Sequence, residues 1–250
     1  MNPDRELAGQ VVLVTGAARN IGRAIAQALA EGGASVMVST LNSHDELSQT
    51  VDSIRGAGGS AASCTGDVTD PEAVLGMVAM TIDRFGRLDA LVNNAAVRAE
   101  QPFIGMAFQD WRRILSVILD GTFFCAQACV PHIVRAGGGS IVNIGGETGH
   151  SGAAGRAHVV TAKAGLAGMT KALALELAPH RITVNCVVPG RIETVRAANT
   201  ATPSRHGTPP PIGRFGLPEE VAAMVSMLCG PRARYITGQA IHVNGGGWMP

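Results

Sequence analysis

The sequence predicts a single α/β domain built around a doubly wound parallel sheet. Short apolar segments rich in Val and Ile alternate along the chain with longer amphipathic segments. This is the pattern of strands buried on both faces and of the helices that cover them. Neither an internal repeat nor a linker divides the 250 residues, a length that supports one large domain with a substantial core. Repeated β–α units of this kind bind ligands at the carboxyl ends of the strands.

Seven strands are predicted from short runs dominated by apolar residues. The first, Val11–Thr15, is apolar up to its last residue and leads directly into a glycine-containing turn. The later strands are spaced so that a helical crossover fits between consecutive ones, as parallel pairing requires. They are Ser35–Ser39, Ala61–Thr65, Leu88–Val92, Ser140–Ile144, Thr183–Val188 and Ala240–Val243.

The helices are predicted in the segments between these strands. The first follows the glycine turn and ends near Gly32. The segment Pro71–Phe85 begins with a proline, which suits the first turn of a helix because the N–H groups there have no intrahelical partner. The other predicted helices are Ser43–Gly56, the two longer segments Asp110–Ala136 and Val159–Ala178, and Pro218–Leu228.

Composition restricts the classes of function. Hydrophobic residues make up 46% of the chain and charged residues 16%, so much apolar surface must be buried, some of it against copies of the same chain. The formal net charge of +1 creates no field that would draw the protein to nucleic acid or to an anionic membrane. We therefore expect a small-molecule substrate, with neither a nucleic-acid nor a membrane partner.

Cysteine and histidine spacing favours neither disulfides nor metal. The five cysteines contain no CxxC pair and the seven histidines show no ligand spacing, so we expect no metal site and no disulfide framework. The first ten residues are polar, unlike the apolar region of a signal peptide. No apolar run reaches the roughly 18 residues that a membrane span needs. These features predict a cytoplasmic protein.

The turn after the first strand has the features of a phosphate-binding loop. It reads Thr15-Gly16-Ala17-Ala18-Arg19-Asn20-Ile21-Gly22 and opens a helix. Glycines permit a tight turn in which backbone N–H groups approach a pyrophosphate closely. The positive end of the following helix adds to the attraction. A strand before the turn and a helix after it make a dinucleotide the expected ligand.

This segment, TGAARNIG, resembles the TGxxxGIG motif of the short-chain dehydrogenase/reductase family. Further segments resemble the same family in the same order along nearly the whole chain. Within the family, the chain resembles 3-oxoacyl-ACP-reductase-like members, which implies a Rossmann-like fold. The similar segments are Gly66-Asp67-Val68, Asn93-Asn94-Ala95-Ala96, Pro189-Gly190-Arg191-Ile192-Glu193-Thr194, Tyr235-Ile236-Thr237-Gly238-Gln239 and Val243-Asn244-Gly245-Gly246.

The resemblance implies a set of cofactor contacts spread over six parts of the chain. The PGxIxT-like segment is expected to hold the nicotinamide carboxamide, and the Asp67 segment the adenine ring. The expected contacts are Gly16, Arg19, Asn20, Ile21, Gly22, Thr40, Asn42, Asp67, Val68, Asn94, Ala95, Lys163, Pro189, Gly190, Ile192 and Thr194.

The end of the second strand favours NADP(H) over NAD(H). An acidic residue at this place would bind the ribose 2′-hydroxyl and repel a 2′-phosphate. Here the place is taken by Thr40, and the family resemblance implies that Arg19 reaches the 2′-phosphate. Leu41 stands where NADP-binding relatives often carry arginine, so Arg19 is the cation expected to make this contact.

Three of the four residues expected to perform proton transfer are absent. Members of the family usually use Asn, Ser, Tyr and Lys, with the Tyr giving a proton to the substrate oxygen. Lys163 is present in its usual sequence context, but Val159 occupies the Tyr position, Gly146 the Ser position and Ile118 the Asn position. Valine, glycine and isoleucine side chains cannot exchange a proton.

Three nearby residues are alternative proton donors. His158 precedes the Tyr position, and histidine is the natural proton donor near neutral pH. Arg156 lies seven residues before Lys163, a spacing that resembles Tyr–Lys in the family's enoyl reductases. Glu147 follows Gly146 directly. Each of the three is also compatible with a loop, packing or substrate-binding role, so Lys163, His158, Glu147 and Arg156 all stay candidates.

Three classes of function are compatible with this pattern. The first is an NADP(H)-dependent oxidoreductase acting on a carbonyl or alcohol with a non-standard proton donor. The second is an isomerase, lyase or cyclase that retains the dinucleotide, and the third a catalytically silent NADP(H)-binding or assembly protein. Family resemblance also implies a homo-oligomer, tetramer or dimer, and a loop at about residues 195–215 that closes over the substrate.

Overall fold

The computed structural model describes residues 5–194 and 208–250, which form an α/β domain with one parallel sheet. The strands are β1 (Val11–Val14), β2 (Ser35–Thr40), β3 (Ser60–Thr65), β4 (Ala90–Asn93), β5 (Gly139–Ile144), β6 (Ile182–Pro189) and β7 (Ala240–Val243). The helices are α1 (Asn20–Glu31), α2 (His44–Gly56), α3 (Pro71–Phe85), α4 (Phe108–Leu115), α5 (Gly121–Arg135), α6 (Thr148–Ser151), α7 (Ala157–Leu177) and α8 (Pro218–Cys229).

The strand order is β3-β2-β1-β4-β5-β6-β7, and every pair is parallel. The chain reverses its winding between β1 and β4, and a crevice opens at the carboxyl ends of the strands at such a switch point. The predicted doubly wound, Rossmann-like sheet is therefore confirmed.

The sheet is covered on both faces by apolar cores. One core contains the inner faces of α1 and α8, with Ile25 and Val225 completely buried. The other contains residues of α3, α5 and the end of α7, with Met77 and Ile133 as large buried side chains. Strands with apolar residues on both faces are the reason for this two-sided arrangement.

A buried polar chain fixes α7 against the middle of the sheet. The Asn93 amide on β4 donates to Asn143 Oδ1 on β5 at 2.9 Å. The Asn143 amide in turn donates to Thr170 Oγ1 on α7 at 3.0 Å. Thr170 lies about two helical turns beyond Lys163, so this chain also sets where Lys163 meets the strand ends.

The predicted helix Asp110–Ala136 differs in the structure. It begins at Phe108, and a π-helical turn, Ser116–Asp120, separates α4 from α5. The short helix α6 is an additional element that the sequence did not predict. Predicted and observed bounds of the other helices and of the strands differ by at most two residues.

The continuous helical segment Phe108–Arg135 is 28 residues long and, by length and apolar composition alone, sufficient to cross a membrane. It is the one described segment of that kind. In the fold, its α5 part packs against β4 and β5, and its residues Cys125, Cys129 and Ile133 belong to the core.

Candidate cofactor and active site

The turn after β1 is held in a conformation that depends on glycine at two positions. Gly16 has a φ of +63°, and Asn20 also adopts a positive φ of 51°. A Cβ built on Gly22 would lie 2.3 Å from the Gly16 carbonyl oxygen, far inside van der Waals contact. Only glycine therefore fits at position 22, and the turn keeps its backbone open toward the crevice.

Asn94 and Thr15 lock this turn to the end of β4. The Asn94 side-chain amide donates to the carbonyl oxygens of Thr15 and Gly16 at 3.0 and 2.8 Å. The Thr15 hydroxyl oxygen accepts from the backbone N–H groups of Asn94 and Ala95, both at 3.1 Å. The turn and the NNAA segment thus form one hydrogen-bonded unit at the switch point.

The N-terminus of α1 fits a phosphate group. Arg19 occupies the N-cap position without a side-chain capping bond, and the first turn contains no acidic residue. Because the first N–H groups of a helix lack intrahelical acceptors and carry partial positive charge, they bind anions. The local residues therefore fit the pyrophosphate of a dinucleotide.

The part of the site that is predicted to bind the adenosine of the cofactor lies at the ends of β2 and β3. Thr40 is almost buried, and its hydroxyl oxygen accepts from the Ser43 backbone N–H at 3.3 Å. Asp67 caps the turn after β3 by accepting from both the backbone N–H and the hydroxyl of Thr69 at 2.8 Å. Val68 packs beside Gly121, where a Cβ would meet its side chain.

Arg19 has an acidic neighbour in this part of the site. Its guanidinium Nη1 lies 3.8 Å from Glu46 Oε1 in the first turn of α2, and both side chains are partly exposed. A long, exposed ion pair of this kind contributes little to stability. The Arg19 side chain can therefore exchange Glu46 for a phosphate at small cost.

Lys163 reaches the carboxyl end of β5. Its Nζ donates to the carbonyl oxygen of Ile144 at 2.6 Å. Burial lowers the pKa of the Lys163 ammonium from its ordinary 10.5 to about 8, with Cys186 acting in the opposite direction and Arg98 adding to the lowering. The side chain thus stands among the strand ends with a proton that is easier to lose than usual.

The glycine at position 146 leaves space next to this lysine. A Cβ built on Gly146 would make ordinary contacts of 3.7 and 3.9 Å with Lys163 Cγ and Cδ. At Gly145, by contrast, a Cβ would come within 2.7 Å of Cys186 Sγ. Packing therefore requires a glycine at 145 but not at 146.

Positions 118 and 159, where the expected Asn and Tyr are also replaced, lie in a small apolar cluster between α4, α7 and the loop after β4. Ile118 is 1% exposed and is surrounded by Ile114, Ala162 and Leu166, with Val159 packed against them. Ile118 is also the centre of the π-helical turn. Such turns occur often at functional sites, and here the turn presents an apolar side chain.

The three alternative donors are placed differently. Arg156 lies at the surface and pairs with Glu100 at 3.1 Å. His158 is completely buried, and neither ring nitrogen finds a hydrogen-bond partner among the described residues. The structure does not bring these two together with Lys163 in one hydrogen-bonded group.

Glu147 turns toward the last strands of the sheet. Its backbone N–H donates to the Pro189 carbonyl oxygen at 3.0 Å. Cβ atoms built on Gly190 and Gly247 would lie 2.9 and 2.7 Å from Glu147 Oε2, which is buried without a hydrogen-bond partner in the described chain. The two glycines thus make room for this carboxyl group.

The predicted nicotinamide segment follows β6. Gly190 donates its N–H to the Val243 carbonyl oxygen at 3.0 Å. Ile192 pairs with Gly216 in an isolated parallel bridge, which joins the two ends of the predicted lid at about 195–215. Residues 195–207 of that lid lie outside the described residues, and Thr194 lies at their border.

An aromatic cluster near this site has no signal in the sequence. The rings of His150, His242 and Trp248 lie 4.8 to 5.3 Å apart by their centroids. They come from α6, β7 and the C-terminal segment, and no local motif joins these three. Within residues 5–194 and 208–250, no three metal-ligating side chains are grouped so that they could hold an ion.

Comparison with known proteins identifies the family. The family model described as enoyl-(acyl carrier protein) reductase matches residues 16–247, which include the phosphate turn, Lys163 and the strand ends described above. The chain belongs to the short-chain dehydrogenase/reductase family. A 3-oxoacyl-(acyl-carrier-protein) reductase FabG from Staphylococcus aureus is 38% identical over 239 residues, covering 95% of this chain and 97% of the relative.

Solved structures of the family have the same fold. A dehydrogenase/reductase from Sinorhizobium meliloti aligns with a TM-score of 0.92 at 32% identity, over 98% of both chains. A short-chain dehydrogenase from Burkholderia cenocepacia, solved in complex with NADP, aligns with a TM-score of 0.90 at 33% identity, over 97% of this chain and 99% of that one. The similarity to this short-chain dehydrogenase/reductase family therefore extends over the whole domain.

Proposed function

We propose that the protein is an NADP(H)-dependent oxidoreductase that interconverts a carbonyl compound and an alcohol. The observation that carries this proposal is the locked glycine turn, in which Asn94 holds the Gly16 carbonyl oxygen and Gly22 admits no side chain. In this geometry the backbone N–H groups of the turn can bind a pyrophosphate that lies over it. The similarity to a 3-oxoacyl reductase supports a carbonyl substrate.

The cofactor preference rests on the end of β2. Thr40 has no charge to repel a 2′-phosphate, and Arg19 lies beside the same opening in a weak pair with Glu46. The structural similarity to a relative in complex with NADP supports the same choice. We therefore favour NADP(H) over NAD(H), with Arg19 as the cation for the phosphate.

When bound, the cofactor would supply or accept the hydride at the substrate carbon. The chain itself must hold the dinucleotide, orient the substrate and exchange a proton with the substrate oxygen. The side chains at 118, 146 and 159 cannot exchange that proton, so the donor is non-standard. Lys163, Glu147, His158 and Arg156 are the candidates.

The apolar cluster around Ile118 and Val159 favours a second function, a protein that binds NADP(H) without redox turnover. It includes both a silent binding protein and an isomerase, lyase or cyclase that retains the dinucleotide. Such a protein would bind the cofactor as tightly but would leave its redox state unchanged.

We further infer that the protein self-associates, as a dimer or tetramer. The outer face of α7 exposes the small residues Ala164, Gly168 and Ala172 together with Leu175, which is 82% exposed. A Cβ on Gly168 would meet nothing within 4 Å, so its small size has no use in packing within one chain. A cytoplasmic location is proposed because all five cysteines are free and buried, which suits a reducing compartment.

The proposed function is tested by measuring oxidation of NADPH against a panel of ketones and 3-oxoacyl thioesters, with product analysis. We expect at least one carbonyl substrate to be reduced stoichiometrically with NADPH. A protein that binds NADPH and reduces none of them would contradict the proposal. Product formed without a change in nicotinamide absorbance would support the non-redox function instead.

A further inference from the structure

Lys163 occupies an unusual place in the chemistry of this chain. The sequence contains 20 basic residues but only two lysines, Lys163 and Lys171, both on α7. Lys171 is exposed, whereas Lys163 is partly buried and points to the strand ends. Unlike arginine, a lysine can lose its proton readily when it is buried, and Lys163 is the lysine that lies at the strand ends.

We infer that Lys163 itself gives the proton to the substrate oxygen during carbonyl reduction and takes it back during alcohol oxidation. This inference rests on the proposed function and names the donor that it leaves open. It makes Lys163 a catalytic residue and not solely one of the expected cofactor contacts.

The donor count allows this role. A lysine ammonium has three N–H donors, and one of them is directed at the Ile144 carbonyl oxygen at 2.6 Å. The two others can serve a ribose hydroxyl and a substrate oxygen at the same time. The Ile144 contact also anchors the nitrogen, so that the remaining donors have fixed directions.

The space around the lysine allows the substrate to approach. Gly146 has no side chain next to Lys163 Cγ and Cδ. Val159, one turn earlier on α7, carries no polar group and packs into the apolar cluster. No hydroxyl from these two positions stands between a substrate oxygen and the ammonium group.

The electrostatic surroundings favour proton release near neutral pH. The groups that act on the ammonium are Cys186 on β6 and Arg98 in the loop after β4. Burial is the largest influence and lowers the pKa of Lys163 to about 8. Cys186 opposes this lowering, but burial raises the pKa of its thiol to about 11, so the thiol is uncharged near neutral pH.

The other candidates are less well placed for this step. The Arg156 guanidinium cannot be deprotonated in a protein, and it already pairs with Glu100 at the surface. His158 is 0% exposed, and Glu147 directs its carboxyl group at Gly190 and Gly247. Glu147 is also partly exposed, but its Oε2 is buried beside these two glycines, whereas the Lys163 ammonium lies at the end of β5.

The proton step balances without a further reactant. As the hydride arrives at the carbonyl carbon, the C=O π electrons move to oxygen, which takes a proton from Lys163 Nζ. The lysine becomes a neutral amine and regains its proton from water. In the oxidation direction the neutral amine removes the alcohol proton as the hydride leaves.

The first test is NMR titration of the protein labelled with ¹³C-lysine, free and saturated with NADP⁺. Because the chain has only two lysines, Lys171→Arg assigns both resonances. We expect the Lys163 resonance to titrate near pH 8. A Lys163 resonance that shows no titration near pH 8 in either state would overturn the inference.

The second test separates proton donation from cofactor binding. Lys163→Arg keeps the charge and the N–H donors but cannot release a proton. We expect kcat for carbonyl reduction to fall about 100-fold or more, while the Kd for NADPH changes by less than about threefold, measured by calorimetry. Lys171→Arg is the matched control and should retain the wild-type kcat.

A third variant keeps the amine and changes its pKa. Lys163→Cys alkylated with bromoethylamine carries a thialysine, whose ammonium is more acidic than that of lysine. We expect the fall of kcat at high pH, near 8 in the wild type, to move to lower pH. Wild-type protein treated identically is the control, because its five cysteines are buried.

The outcomes separate this inference from the proposed function. If the wild type reduces carbonyls but Lys163→Arg retains kcat and the pH profile, Lys163 is not the donor and the proposed function stands. If the wild type binds NADPH but reduces no carbonyl, both fail. If the fall of kcat at high pH moves to lower pH in the thialysine variant and NADPH binding is retained, the inference and the proposed function are both supported.

Discussion

At the residue scale, adjacent glycines 145 and 146 differ in why they lack a side chain. The first is required by the approach of Cys186, whereas the second has room for a Cβ next to Lys163. Neither has a positive φ. The missing hydroxyl at 146 is therefore a chemical feature of this chain and not a consequence of backbone packing.

This difference predicts opposite effects for two single substitutions. Gly145→Ala should lower the free energy of unfolding by about 1–3 kcal/mol, because the added methyl overpacks the strand end. Gly146→Ala should leave it unchanged or raise it by about 0.5 kcal/mol, since it restricts the unfolded chain without a clash. Urea unfolding of both variants without cofactor checks this, and equal losses would contradict it.

The placement of some candidate residues at the strand ends could be predicted from the sequence because their motifs are local. The turn from Thr15 to Gly22 and the position of Lys163 depend on fixed spacings along one strand–helix unit. The surroundings of Glu147 and His150 could not be predicted, because their neighbours, Gly190, Gly247 and His242, come from distant segments. No periodicity or motif records such a contact.

At the element scale, the π-helical turn Ser116–Asp120 is the main departure from the predicted helices. Apolar periodicity predicted one helix across Asp110–Ala136, and periodicity contains no signal for one inserted residue in a turn. The turn directs Ile118 into the cluster with Ile114 and Leu166. The element is therefore stabilised by apolar packing where a polar residue was expected.

Restoring a polar side chain in this turn should be costly. Ile118→Asn should lower the free energy of unfolding by about 3 kcal/mol or more, because it removes apolar contacts and buries an amide. The matched variant Ile118→Val should cost about 1 kcal/mol. Chemical denaturation measures both, and a cost for Asn no larger than that for Val would show that water reaches the turn.

At the scale of the whole molecule, all seven strands of the doubly wound sheet could be predicted to within two residues, because most of them are rich in the apolar residues that strands buried on both faces need. The same composition leaves apolar residues outside the core. Leu175 on α7 and Phe123 on α5 are 82% and 47% exposed. Their exposure is consistent with the proposed contact between copies of the chain.

A charge on the outer face of α7 should prevent self-association. Leu175→Lys is expected to reduce the mass measured by size-exclusion chromatography with light scattering, because a buried ammonium without a partner opposes the contact. Leu75→Lys on α3, at a residue that is 51% exposed, is the matched control and should leave the mass unchanged. A monomeric wild-type protein would refute the proposed oligomer.

The cofactor site is tested most directly by isothermal titration of the purified protein with NADPH, with NADH as the comparison ligand. We expect NADPH to bind more tightly than NADH. Gly22→Ala should lose at least about tenfold in affinity, because its methyl would meet the Gly16 carbonyl oxygen. Gly76→Ala, at a helical position with open space, is the control and should bind normally. If neither dinucleotide binds the folded wild-type protein, the phosphate turn and Lys163 do not form a cofactor site.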